Sequence, residues 1–215
     1  MNKEANLKRM LDGGVIAIVR LDSAGQLGQV ARAIKAGGAD VIEFTMTTPG
    51  ALDIIAASTQ EFGDQVLLGA GTVLDSETAR AAILAGARFI VSPTLNPATV
   101  ELCHRYSVIA VPGTFTPTEI LTAWESGADL VKVFPASAGG PGYIKAVLAP
   151  LPQVRLVPTG GVNVQNAADY IQAGAAAVAV GGSLVNRKLV AAGDFNTLTE
   201  TARGLVAAVR QARGQ

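Results

Sequence analysis

The chain has little of what several familiar kinds of protein are built from. Its 215 residues include one cysteine, Cys103, so no disulfide framework can form within the chain. They include one histidine, His104, which excludes a zinc or iron site made from several imidazoles of one chain. Seventeen basic residues balance seventeen acidic ones. Without a basic excess, the electrostatic footprint of a general nucleic-acid binder is missing. No apolar run approaches the ~20 residues of a membrane-spanning helix. The N-terminus mixes Lys3, Glu4, Lys8, Arg9 and Asp12 with apolar residues, which reads as a short amphipathic helix and not as a signal peptide. No linker rich in Pro, Ser or Gly divides the chain. These absences predict one soluble, cytoplasmic domain over residues 1–215, with no nucleic-acid or membrane partner.

What is present is apolar and periodic. Hydrophobic residues make up 49% of the chain and charged residues 16%, the balance of a folded protein. Eight short apolar runs recur at regular intervals, at residues 15–19, 41–44, 66–68, 89–91, 108–111, 130–134, 154–157 and 177–180. Helix-capable segments lie between them, at 24–36, 51–62, 76–85, 97–106, 117–124 and 164–173, with a closing helix over about 195–213. Strand-length runs alternating with helices predict βα units and a parallel sheet. A weak internal repeat supports this. Ala36-Gly37-Gly38-Ala39-Asp40-Val41-Ile42-Glu43 has counterparts beginning at Ala85, Ser126 and Ala173, each ending a helix on glycine before the second, fourth, sixth or eighth run. Eight strands with two-unit periodicity predict a (β/α)8 TIM barrel with an N-terminal helix. The rival, a doubly wound nucleotide fold, lacks its marks: Gly69-Ala70-Gly71-Thr72 has no third glycine at the required spacing, and no phosphate-binding P-loop occurs.

In such a barrel the chemistry sits at the C-terminal ends of the strands. Of six lysines, only Lys132 lies inside an apolar run. Alternation puts Leu130, Lys132 and Phe134 on one face, where burial lowers an amine's pKa and readies it to attack a carbonyl. Glu43 lies near the end of the second run and points with Val41; a carboxylate there has a raised pKa suited to proton transfer. The plainer alternative is a structural ion pair between the two. Thr159-Gly160-Gly161 follows strand seven and Gly181-Gly182-Ser183 follows strand eight, where loops of such barrels commonly hold phosphate; two tight turns would leave the same trace. Arg20, closing the first run, either clamps a carboxylate or is solvated. Cys103 and His104 have no companions for catalysis; the first reads as core and the second as surface. Trp124 reads as packing.

These motifs resemble the pyruvate-dependent class I aldolases of the 2-keto-3-deoxy-6-phosphogluconate (KDPG) and 4-hydroxy-2-oxoglutarate (KHG) aldolase family. The resemblance runs from Ala17-Ile18-Val19-Arg20 through Glu43-Phe44-Thr45, Gly69-Ala70-Gly71-Thr72-Val73, Ser92-Pro93, Pro112-Gly113, Lys132-Val133-Phe134-Pro135 and Pro158-Thr159-Gly160-Gly161 to Gly181-Gly182-Ser183. It implies that Lys132 forms the Schiff base, Glu43 moves protons, Thr72 holds the pyruvoyl carboxylate, and Pro93 and Phe134 pack on the pyruvoyl group. Thr159, Gly160, Gly161, Gly182 and Ser183 would line the hydroxyl and phosphate end. It also implies a homotrimer, with no metal or other cofactor, acting on a keto acid and a phosphorylated aldehyde. One position departs: many members carry an arginine where this chain has Thr47, and Arg20 is the candidate substitute for carboxylate capture. The implied reaction is reversible cleavage of KDPG to pyruvate and glyceraldehyde 3-phosphate, with KHG cleavage and oxaloacetate decarboxylation as companions. The rivals are an epimerase or isomerase without a covalent intermediate and a non-catalytic sugar-phosphate-binding barrel.

Overall fold

The computed structural model describes residues 2–21 and 25–214. Helix α1 (Lys3–Gly13) precedes strand β1 (Val15–Val19). Asn2 caps α1, accepting from Ala5 N–H at 2.8 Å. Helix α2 (Leu27–Ala36), β2 (Val41–Thr45), α3 (Ala51–Phe62) and β3 (Leu67–Gly71) follow. Next come α4 (Ser76–Leu84), β4 (Phe89–Val91), α5 (Pro97–Arg105), β5 (Ile109–Val111) and β6 (Gly113–Thr114). The remainder is α6 (Pro117–Glu125), β7 (Val131–Val133), α7 (Gly140–Leu148), β8 (Leu156–Pro158), α8 (Ala167–Gln172), β9 (Val178–Val180), α9 (Arg187–Ala191) and α10 (Phe195–Ala212). Several helix starts are encoded locally: Thr116 and Glu119 form a reciprocal capping box at α6, while Asp75 and Asp194 cap α4 and α10.

Every strand pairing is parallel. Six strands join in the order β5-β4-β3-β2-β1-β9, and three in the order β6-β7-β8. An isolated parallel bridge, Thr159 to Ala179, links the second sheet to the first. The fifth apolar run holds β5, and an unexpected two-residue strand, β6, follows it beyond Pro112, which has no N–H to give a ladder.

Alternation along the strands sorts their side chains into two cores. Val15, Ala17 and Val19 of β1 join a large cluster with the surrounding helices. Ile16 and Ile18 join a smaller one with Val41, Leu67, Phe89, Val91, Ile109, Val111, Leu130, Val157, Ala177 and Ala179. This second cluster fills the concave face of the curled sheet. Met10 of α1 is fully buried within it, and Leu7 and Leu11 pack alongside, so α1 forms its floor. Arg213, at the end of α10, holds that floor in place by donating to Leu11 O at 2.7 Å and Ala176 O at 2.6 Å.

Some boundaries differ from the sequence expectation. The third strand extends through Gly69 and Gly71, residues of poor strand propensity, because larger side chains need the space opposite them. A Cβ at Gly69 would lie 2.5 Å from three atoms of the Phe89 ring. Helices α7 and α9 were not anticipated, since α7 opens with Gly-Pro-Gly and α9 has only five residues. The expected second helix begins at Leu27; residue 24 of that expectation lies outside the described residues. Cys103 is buried and its thiol is pushed up to about 12 by desolvation, while His104 is exposed and meets Gly127 O at 2.6 Å. Trp124 packs partly buried against the larger cluster. Among the described residues, no helix is long and apolar enough to cross a membrane.

Candidate active site

The strand ends and the loops after them surround a cavity of about 760 Å³. Eleven of the twelve residues singled out from sequence line it: Arg20, Glu43, Thr72, Pro93, Lys132, Phe134, Thr159, Gly160, Gly161, Gly182 and Ser183. Thr47 does not. It is exposed, donates to Thr45 Oγ1 at 3.1 Å, and borders a neighbouring cleft with Leu21, Pro49, Arg20 and Arg187.

The pairs that alternation predicted are present. Lys132 shares the concave face with Leu130, and Glu43 shares it with Val41. Lys132 is 6% exposed and Glu43 1%. The backbone of Lys132 is held on both sides: its N–H donates to Pro112 O at 2.9 Å, and Thr114 Oγ1 donates to its carbonyl at 2.9 Å. Its ammonium nitrogen lies 5.1 Å from the centre of the Phe134 ring. Burial lowers the amine's pKa; nearby Arg20 pushes it further down and the Glu43 carboxylate pulls against both. Burial raises the pKa of Glu43, while Lys132 and Arg20 oppose that rise. Burial therefore moves the amine toward its neutral form and the carboxyl toward its protonated form, each against the pull of the other.

Room for Glu43 is made by β3. A Cβ at Gly71 would lie 2.3 Å from Glu43 Oε1, so glycine is the residue that fits. Among the described residues, no hydrogen-bonding group meets the buried Glu43 Oε2. Thr72, next in sequence, has φ 58°, a left-handed conformation that costs a β-branched residue about 1–3 kcal/mol. This backbone presents Thr72 to the cavity, where its hydroxyl receives Arg20 Nη2 at 3.4 Å. Pro93 reaches the cavity because Gly113 on the adjoining strand lacks a side chain; a Cβ there would meet the Pro93 carbonyl carbon at 2.3 Å.

The opposite end of the cavity is lined by backbone and positive charge. Gly160 and Gly161 have φ of +90° and +81°, and the loop they form is joined to the one after β9 by Ser183 Oγ, which donates to Val162 O at 2.5 Å. No acceptor among the described residues takes the N–H of Gly161, Val162, Gly182 or Ser183. Asn186, Arg187 and Lys188 also line this end. Sequence reasoning did not single them out, because α9 is too short to show a period and its charges resemble ordinary surface charges. Asn186, whose Oδ1 accepts from Lys188 N–H at 2.9 Å as the cap of α9, was the available signal. Asn163 and Ile18 are further lining residues found only in the fold. Among the described residues, no group of three His, Cys, Asp or Glu side chains is arranged to hold a metal ion.

Comparison with known proteins gives a consistent result. The sequence model of the family described as KDPG and KHG aldolase matches residues 7–201. A 2-dehydro-3-deoxy-phosphogluconate aldolase of Treponema pallidum is 44% identical over 187 residues, covering 86% of this chain and 88% of the relative. A 2-dehydro-3-deoxy-6-phosphogalactonate aldolase of Escherichia coli is 38% identical over 172 residues, covering 79% and 83%. Among solved structures, a KDPG aldolase from Legionella pneumophila, with pyruvate captured as a covalent carbinolamine intermediate, superposes with a TM-score of 0.86 at 28% identity, covering 95% of this chain and 98% of that one.

Proposed function

The chain belongs to the KDPG and KHG aldolase family, and from that premise we propose that it is a class I aldolase that reversibly cleaves KDPG to pyruvate and glyceraldehyde 3-phosphate. The observation that carries the reading is the buried Lys132 amine, with lowered pKa, sharing the concave cavity with Glu43. A solvent-exposed lysine would be an ammonium at neutral pH and a poor nucleophile.

In this reading the neutral Lys132 amine attacks the C2 carbonyl. Glu43, its pKa raised by burial, delivers the proton with which the carbinolamine loses water. The resulting iminium withdraws electrons as Glu43 takes the proton of the C4 hydroxyl through a bound water. The C3–C4 bond breaks, releasing the aldehyde. The remaining enamine is protonated at C3, and hydrolysis of the imine frees pyruvate and Lys132. Thr72 and Arg20 hold the carboxylate, with Arg20 supplying the guanidinium that Thr47 cannot. Pro93 and Phe134 shield the imine from solvent. Thr159 faces the hydroxyls, and the open N–H groups of the two glycine loops, with Arg187 and Lys188 beside them, take the phosphate. The same iminium would accept KHG and decarboxylate oxaloacetate.

The architecture proposed with this activity is one (β/α)8 barrel over residues 1–215. The Thr159–Ala179 bridge supports closure at one seam; at the other, Asp129 and Leu130 donate to Ala110 O at 3.1 and 3.4 Å. A cytoplasmic homotrimer without a cofactor completes the reading. The decisive experiment is incubation with pyruvate and borohydride, followed by peptide mass mapping. A stable adduct on Lys132, lost in Lys132→Ala, is expected. No adduct on folded protein would overturn the covalent mechanism in favour of a non-covalent isomerase or binding barrel.

A further inference from the structure

We infer that Asn166, which lies outside the cavity, is the positioning residue for the loop that takes the substrate's phosphate; the inference rests on the phosphate-binding part of the proposed function. Gly160 and Gly161 are both left-handed. Two consecutive glycines have many alternative conformations, so something must select this one.

Three successive carbonyls of the loop are each held by a different group. Gly160 O accepts from Ser137 N–H at 3.0 Å, Gly161 O from Asn166 Nδ2 at 3.0 Å, and Val162 O from Ser183 Oγ at 2.5 Å. Peptide units are planar and trans, so a carbonyl fixed in one direction fixes the next N–H in the other. Anchoring Gly160 O aims the N–H of Gly161, and anchoring Gly161 O aims the N–H of Val162. Both residues line the cavity, and neither N–H has an acceptor among the described residues.

Of the three anchors, Asn166 is a side chain that does not itself line the cavity. Its Oδ1 also accepts from Asn163 N–H at 2.9 Å, so one amide group brackets Val162 from both sides. Asn163 returns the contact: its Oδ1 accepts from the N–H groups of Gln165 and Asn166, at 2.9 and 3.2 Å. Asn166 stands at the cap of α8, where asparagine ordinarily spends its oxygen on the helix's own first N–H groups. Here no such side-chain cap bond forms, and both amide atoms are turned to the loop. Ala167 N–H donates to Asn163 O at 3.0 Å instead, and the Asn166 side chain is left to set the loop.

The test compares acceptors that differ only in phosphate. Asn166→Ala and Asn166→Asp are assayed in the synthetic direction, pyruvate with glyceraldehyde 3-phosphate against pyruvate with glyceraldehyde, alongside borohydride capture of pyruvate on Lys132. Asn166→Asp keeps an acceptor for Asn163 N–H and loses the donor to Gly161 O; the negative charge it adds is screened by reading its KM at high salt, so it carries the test should the alanine variant fold poorly. The expected result is a KM for glyceraldehyde 3-phosphate raised about tenfold in both variants, the loss of roughly one charge-assisted hydrogen bond. The KM for glyceraldehyde, kcat and the rate of pyruvate capture should stay within about twofold of wild type. Equal losses with both acceptors, or no loss with the phosphorylated one, would overturn the positioning role. If the wild-type enzyme itself shows no preference for the phosphorylated acceptor, the phosphate reading of the loops falls, and this inference with it.

Discussion

Gly71→Ala separates activity from stability in one substitution. Gly71 lies in a regular strand, so alanine is compatible with its backbone. The added Cβ would stand 2.3 Å from Glu43 Oε1 and 2.8 Å from its carboxyl carbon. Ordinary van der Waals separation requires the carboxylate to retreat by roughly 1 Å. Since the clash is with the end of a flexible side chain, the cost in stability is small, about 1 kcal/mol. The cost to the reaction is large, because a 1 Å error in placing a reacting group is worth on the order of 100-fold in rate. Pyruvate release in a coupled assay should therefore show kcat reduced by about two orders of magnitude, while thermal melting by circular dichroism moves by only a few degrees. Attack by Lys132 on pyruvate does not need the C4 proton transfer, so borohydride capture should suffer less than cleavage. A folded Gly71→Ala enzyme with kcat within about threefold of wild type would refute the argument that β3 sets the position of Glu43.

Three further outcomes follow from the same geometry. Gly69→Ala should do the reverse of Gly71→Ala: its Cβ meets the fully buried Phe89 ring at 2.5 Å, so thermal denaturation should show a loss of about 1–3 kcal/mol, with kcat per folded molecule preserved. Glu43→Gln should raise Tm as pH rises. The folded pKa of Glu43 lies above 4.5, so its favourable contribution is complete below 4.5 and is lost as pH climbs through the folded value; a Tm gain that instead grew toward acid would contradict the assignment. Arg20→Ala should raise the KM for the keto acid about tenfold or more, the loss of a guanidinium–carboxylate contact; an unchanged KM would remove Arg20 as the stand-in for the missing arginine at Thr47.

Much of this protein is legible in its sequence because period-2 alternation does double duty. The pattern that buries Val131 and Val133 on the helix side necessarily turns Lys132 to the other face, so one reading gives both the core and the proposed nucleophile. Glycines that end helices and open the loops after β8 and β9 are equally visible, since their role is local. What was not legible is non-local or subtractive. That β3 continues through Gly69 and Gly71 is decided by Phe89 and Glu43 on neighbouring strands, not by propensity. The five residues of α9 carry no period, so Arg187 and Lys188 reach the cavity unannounced. Thr47 shows the converse: the family pattern places it near the substrate, while the chain's turn after β2 directs it to an adjoining cleft.

The helix that floors the concave face also dictates a kinetic order. Leu7, Met10 and Leu11 stopper the apolar cluster beneath Glu43 and Lys132, and those two side chains are almost wholly buried, whereas Gly161, Gly182 and Ser183 are exposed. On the proposed reading the chamber is a blind alley, with the covalent anchor at the closed end and the phosphate clamp at the open one. In a blind alley, traffic reverses: the fragment nearest the entrance leaves first. Under the proposed reaction, glyceraldehyde 3-phosphate departs before the enamine is protonated at C3 and water attacks the iminium carbon, and in synthesis pyruvate is seated before the aldehyde arrives. If those roles hold, a floor of three apolar side chains, remote from any reacting atom, gives product inhibition the pattern of an ordered mechanism.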